Sequence, residues 1–268
     1  MPRVKCWQVD AFTDRPFAGN PAAVCWLERK AFAVEWMQFV AAEMNLSETA
    51  FVRRLDDDYE LRWFTPTVEV DLCGHATLAT AHALWEAGIA PLEESLRFHT
   101  ASGILTCTRA GPFIELDFPA LPATESSPHE GLLEALGVES PAFVGRTKFE
   151  WLVALDSPDE LRALRPDFRR LADVPTRGAI VTSRSDDPRY DFLSRFFAPA
   201  EGIDEDPVTG SAHCTLAPYW AERLDKRELT AYQASTRGGI LRLRTNGDRV
   251  VLSGQAATVW RGELLATP

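Results

Sequence analysis

Gly74-His-Ala-Thr-Leu-Ala-Thr-Ala-His-Ala-Leu-Trp85 decides how this chain is read. Alanine and leucine dominate it, which favours a helix, and three turns pass without a charged side chain. A helix that is apolar almost all round is a buried one. Gly210 through Trp220 has the same character, except that Pro218 is expected to kink it or shift its hydrogen bonding.

The likeness of the two stretches extends outward. A shift of 136 positions lays Gly74 and Ala76 on Gly210 and Ala212, and then Gly103, Ile104, Leu105, Gly111 and Leu116 on Gly239, Ile240, Leu241, Gly247 and Leu252. A shift of 133 lays Arg62-Trp63-Phe64-Thr65-Pro66 on Arg195-Phe196-Phe197-Ala198-Pro199. Ordered matches at nearly one offset imply a duplicated unit with the same order of strands and helices in each half. A site between the halves is the default expectation.

Around the apolar helices lie short runs rich in β-formers and bounded by turn residues. In the first half they are Val4 to Phe12, Tyr59 to Phe64, Leu96 to His99, Gly103 to Thr108 and Phe113 to Phe118. The second half offers Trp151 to Leu155, Ala179 to Ser183, Tyr190 to Phe197, Leu229 to Ala234, Ile240 to Leu243 and Arg249 to Leu252. Antiparallel pairing is expected to dominate. Amphipathic helices at Val34 to Met44, Leu132 to Leu136 and Pro158 to Leu171 would pack outside. The expected fold is α+β, with two similar domains, each a β-barrel wrapped around a central buried helix. Pro119 to Pro128, rich in Pro and Ser, marks a linker, which puts the domains at 1–119 and 120–268, the last residues of the chain packing back on the first domain.

Composition narrows the function. The net charge of −11 repels nucleic acid and anionic membrane surfaces, and no cluster of Lys and Arg overrides it. No apolar stretch approaches a membrane span, and Met1 to Asp10 enters a strand pattern without the marks of a secretory signal. Five scattered cysteines, Cys6, Cys25, Cys73, Cys107 and Cys214, fit a reducing compartment, so the expected location is the cytoplasm. Neither a glycine-rich nucleotide loop nor Gly-x-Ser-x-Gly is present, and Cys73, His75, His82, His213 and Cys214 lack the spacing of a closed zinc site. No metal or other cofactor is expected.

Each apolar helix starts at a glycine, where free N–H groups and the positive dipole end favour an anion. Gly74 and Gly210 are therefore candidate binding positions for a small carboxylate, although each also reads as a tight-turn residue. Ser211 stands ready either to donate to a substrate or to cap its helix. Glu48 lies in the mainly apolar Leu46-Ser-Glu-Thr-Ala-Phe-Val52, where burial would raise its pKa towards a range useful for accepting and returning a proton. The helix dipole would hold His75 neutral, and Asp206, in the Asp-Pro turn before Gly210, reads as a positioning or capping carboxylate.

Cys73-Gly-His-Ala-Thr77 and Asp206-Pro-Val-Thr-Gly-Ser-Ala212 together resemble the paired motifs of the PhzF-like proteins of phenazine biosynthesis. Asp10-Ala-Phe-Thr-Asp-Arg-Pro-Phe-Ala-Gly-Asn-Pro-Ala-Ala-Val24 and Asn45-Leu-Ser-Glu-Thr-Ala-Phe51 match the same family in the same order. The resemblance implies a diaminopimelate-epimerase-like fold, a homodimer, and isomerisation without metal or nucleotide. It implies that Glu48 moves a proton between carbon atoms of a small acid of the dihydro-hydroxy-anthranilate type, assisted by His75 and Asp206. Racemases of this fold instead use two opposed cysteines, each just before the glycine of a central helix. Here Cys73 fills the first place and Thr209 the second, and a hydroxyl is too weak an acid and base for that exchange. An epimerase using Cys73 alone and a non-catalytic metabolite- or protein-binding member are the alternatives.

Overall fold

In a computed structural model, which describes residues 4–28 and 32–265, the chain forms two compact units. The first runs to Asp117 and takes up the chain again from Ser253; the second is Phe118–Leu252. The break falls two residues before the expected one, and the final strand belongs to the first unit. The start of the Met1 to Asp10 reading, Met1 to Arg3, lies outside the described residues.

In the first unit β1 (Val4–Ala11) pairs antiparallel with β2 (Asn20–Trp26). Helix α1 (Val34–Met44) crosses over to β3 (Glu48–Leu55), parallel to β2, and β4 (Asp58–Phe64) returns antiparallel. The two-residue β5 (Glu69–Val70) borders β4, and α2 (Gly74–Glu86) follows. Strand β6 (Leu96–Thr100) lies parallel to β4, and β7 (Gly103–Ala110) and β8 (Phe113–Pro119) continue antiparallel.

The second unit begins with β9 (Thr124–Glu125), α3 (Leu132–Leu136) and β10 (Phe143–Arg146), β10 pairing antiparallel with β11 (Glu150–Leu155). Helices α4 (Pro158–Ala163) and α5 (Phe168–Ala172) cross over to β12 (Gly178–Arg184), parallel to β11, and β13 (Phe192–Phe197) runs antiparallel to it. After α6 (Gly210–Leu224) comes β14 (Glu228–Gln233), parallel to β13, then antiparallel β15 (Gly239–Asn246), with β16 (Arg249–Gly254) beside it. Finally β17 (Ala256–Leu264) pairs antiparallel with β1.

Each unit thus repeats one series of pairings: antiparallel, parallel across a helical crossover, antiparallel, parallel, antiparallel. The duplication reaches further back than the residue matches did, to β1–β3 and β10–β12. Helix α2 packs on β1, β2, β3 and β17, and Ala76, Leu78, Ala79, Ala81, Ala83 and Leu84 are wholly buried. Its buried threonines are satisfied inside the helix, Thr77 Oγ1 donating to the Cys73 carbonyl and Thr80 Oγ1 to that of Ala76. Helix α6 packs on β14 and β15, with Trp220 stacked on Phe192 and donating from Nε1 to Thr182 Oγ1 at 2.9 Å.

Three expectations are corrected. The helix expected over Pro158 to Leu171 is two helices, because Pro166 lacks an N–H and pushes Arg165 out of helical backbone. The helix from Gly210 does not stop near Trp220 but runs on through Pro218 to Leu224. Strands β2, β3, β10 and β17, and the two-residue β5 and β9, were not anticipated: β2 is rich in alanine and holds Pro21, so its local preference is not for strand. The Pro119 to Pro128 stretch is irregular apart from β9, which pairs with β10. No helix among the described residues is long and apolar enough to cross a membrane.

Candidate functional site

Three local devices place the reactive side chains of the first unit. Helix α1 stops at Asn45, whose left-handed backbone returns its N–H to Ala41, and the chain re-enters the sheet with Glu48 as the first residue of β3. Helix α2 starts after the extended Cys73, so His75 stands in its first turn. The β1–β2 turn closes through Gly19 at φ +64, and Asn20 opens β2.

These devices bring Glu48, Cys73, His75 and Asn20 together. The imidazole of His75 lies with Nε2 3.2 Å from Glu48 Oε2 and Nδ1 3.5 Å from Cys73 Sγ and 3.2 Å from Asn20 Nδ2. The His75 and Glu48 side chains are only 6% and 14% exposed. Their facing atoms are within ion-pair reach but off the axis of a hydrogen bond, so both remain unsatisfied among the described residues. Two such orphans side by side mark a place where a further polar group fits.

Titration of this cluster departs from the expectation of a neutral His75. Burial works against the charged ring, but the charges of Cys73 and Glu48 outweigh it and raise its pKa well above the ordinary histidine value. The Cys73 thiol is itself pushed up to about 11, by burial first and then by the Glu48 charge. Cys73 and Glu48 together outweigh the helix dipole because they are closer and share the buried setting.

One ligand atom from each of Glu48, Cys73 and His75 lies within 4.8 Å of the others, as a metal would require. The closest contacts, however, run to opposite nitrogens of the ring, and a single ion can take only one of them. Proton handling suits this arrangement better than coordination.

In the second unit Asp206 is buried, and its carboxylate accepts a hydrogen bond from the Thr209 hydroxyl. The turn is pinned by the fully buried Gln233, whose Nε2 donates to the Asp206 carbonyl at 2.7 Å while its Oε1 accepts from Thr209 N at 2.9 Å. Gly210 opens α6 behind this turn, as Gly74 opens α2, and first-turn N–H groups have no partner inside the helix. Ser211 Oγ accepts from Arg177 Nη2 at 3.1 Å, and Arg177 pairs with the fully buried Glu150. The sequence reading did not single out Asn20, Ser47, Glu150, Arg177 or Gln233. A charged residue opening the otherwise apolar Glu150–Leu155 was one signal, and the place of Asn20 and Ser47 inside the quoted motif stretches was another.

With the geometry in hand, comparison with known proteins is decisive about kinship. Residues 9–262 match the model of the PhzC-PhzF family, phenazine biosynthesis-like proteins. An uncharacterized isomerase of Halalkalibacterium halodurans is 55% identical over 96% of this chain and 97% of its own length. The crystal structure of a PhzF-family protein of Enterococcus faecalis is similar with a TM-score of 0.93 and 39% identity, covering 99% of this chain and 100% of that one. A hydroxyproline epimerase from Agrobacterium vitis, at 12% identity and a TM-score of 0.63 over 98% of this chain and 91% of that one, shows the shared fold alone. By family match and by relatives alike along nearly their whole length, the chain belongs to the phenazine biosynthesis-like PhzC-PhzF family.

Proposed function

We propose that the protein is a cofactor-independent isomerase that moves a proton between carbon atoms of a small carboxylic acid. Relatives that carry the name isomerase supply the class. The observation that carries the mechanism is the unsatisfied, buried pair of Glu48 Oε2 and His75 Nε2, 3.2 Å apart. Glu48 takes the proton from one carbon and, as the carboxylic acid, returns it to another, and His75 stabilises the carboxylate before the first step and after the second. Asp206 assists, the N–H groups at the Gly74 and Gly210 helix starts hold the substrate carboxylate, and the Ser211 hydroxyl donates to it. This reading includes a closed barrel around each helix, a homodimer and a cytoplasmic location.

The epimerase alternative, with Cys73 as the base, is weakened by that thiol. It is buried and titrates at about 11, so almost none of it is thiolate at neutral pH. Deuterium uptake from heavy water, followed by NMR over a panel of small amino acids and dihydroaromatic acids, tests both. Exchange by the wild type that is lost in Glu48→Gln and kept in Cys73→Ala is expected. Exchange that persists in Glu48→Gln and vanishes in Cys73→Ala would move the base to the thiol, and binding without any exchange would favour a non-catalytic member.

A further inference from the structure

In both units, the side chain that follows the first glycine of the buried helix is held by a residue from the start of a strand. In the first, Asn20 opens β2, is fully buried, and sets Nδ2 3.2 Å from Nδ1 of His75. Ser47, just before β3, places its hydroxyl 3.5 Å from Asn20 Oδ1. In the second, Glu150 opens β11, and Arg177, just before β12, joins Glu150 to Ser211 Oγ. Asn20 and Glu150 open corresponding strands, and Ser47 and Arg177 precede corresponding ones, but the helix side chain is met by the first of these positions in one half and by the second in the other.

An amide nitrogen can only donate, so the ring nitrogen facing it must accept, and a neutral imidazole that accepts at one nitrogen carries its hydrogen on the other. The Ser47 hydroxyl, 3.5 Å from Oδ1, can donate to it in that orientation. The other neighbour of Nδ1 is the Cys73 sulfur, 3.5 Å away, which as a thiol can donate to an accepting ring nitrogen. Glu48 is the group that faces the opposite nitrogen. We propose that Asn20 is a positioning residue that, whenever His75 gives up its extra proton, holds the neutral ring as the Nε2–H tautomer, so that its hydrogen faces Glu48 and the reacting group beside it. By the same logic, the Arg177 donor occupies a lone pair of Ser211 Oγ and leaves the serine hydrogen free for a ligand.

This proposal rests on Glu48 and His75 being the reactive pair, but its test does not depend on turnover. Multiple-bond 15N–1H spectra of 15N-histidine-labelled protein, recorded above the pKa of His75, report which ring nitrogen is protonated. The wild type is expected to carry the hydrogen on Nε2, Asn20→Ala to show a mixture of tautomers, and Asn20→Asp to move it to Nδ1, where a carboxylate would accept it. The signals of His82, His99, His129 and His213 serve as the control for folding. A wild-type ring protonated on Nδ1, or an unchanged ring in both variants, overturns the proposal; if neither variant folds, the wild-type spectrum alone decides. Once a substrate is found, Asn20→Ala is expected to slow exchange about 10- to 100-fold. Glu48→Gln separates the two ideas: activity in that variant defeats the proton-transfer reading and leaves the tautomer result standing.

Discussion

His75 and His213 both lie in the first turn of a buried helix, yet their surroundings drive their titration in opposite directions. His75 has a carboxylate beside it and is raised. His213 stacks on Phe192, bonds through Nδ1 to the Thr209 carbonyl at 2.8 Å, and is lowered to about 4 by burial. Unfolding lets His213 take up a proton at the ordinary value, so its contribution to stability is complete at neutral pH and is lost as the pH falls from about 6.5 towards 4. Between pH 7 and pH 4.5 this amounts to about 2–3 kcal/mol. Urea denaturation of the wild type and of His213→Asn at both values is expected to show a smaller acid loss in the variant by that amount. Glu48→Gln, by contrast, is expected to abolish exchange and, by removing the charge beside His75, to bring the pKa of that ring down in an NMR titration.

Among the elements, the β1–β2 turn and α2 are the most exacting. A Cβ on Gly19 would lie 2.1 Å from the Ala11 carbonyl oxygen, and its φ of +64 strains any side chain. Gly19→Ala is expected to cost about 2 kcal/mol or more and, by displacing Asn20, to perturb the His75 resonances in the same sample. Leu78 is fully buried on α2, and Leu78→Ala is expected to cost about 2–5 kcal/mol by chemical denaturation. Helices α1 and α3 matched the residue ranges read from their periodicity, because an apolar stripe and a left-handed cap are local signals. The break between α4 and α5 is equally local, since Pro166 in the sequence is enough to cause it. Strand β2 was not legible at all: Asn-Pro-Ala-Ala-Val-Cys-Trp becomes a strand because β1 and β3 flank it.

At the scale of the whole molecule, the first unit is discontinuous, since β17 is added at the far end of the chain and pairs with β1 from Val4↔Leu264 to Ala11↔Ala256. Ending the chain at Gln255 would leave β1 a bare edge on that side, and the truncated protein is expected to aggregate or melt well below the full chain in a thermal scan. The sequence by itself determined the duplication, the two buried helices and the residue types of Glu48, His75 and Asp206, because glycine starts, apolar helices and short motifs are written in consecutive positions. Only the tertiary structure decided that the last strand completes the first unit, that Cys73 and Glu48 together outweigh the helix dipole at His75, and that Asn20 faces Nδ1. Those outcomes depend on contacts between segments as far apart as Val4 and Leu264, and on distances of a few ångströms at which charge and hydrogen bonding outweigh local preference.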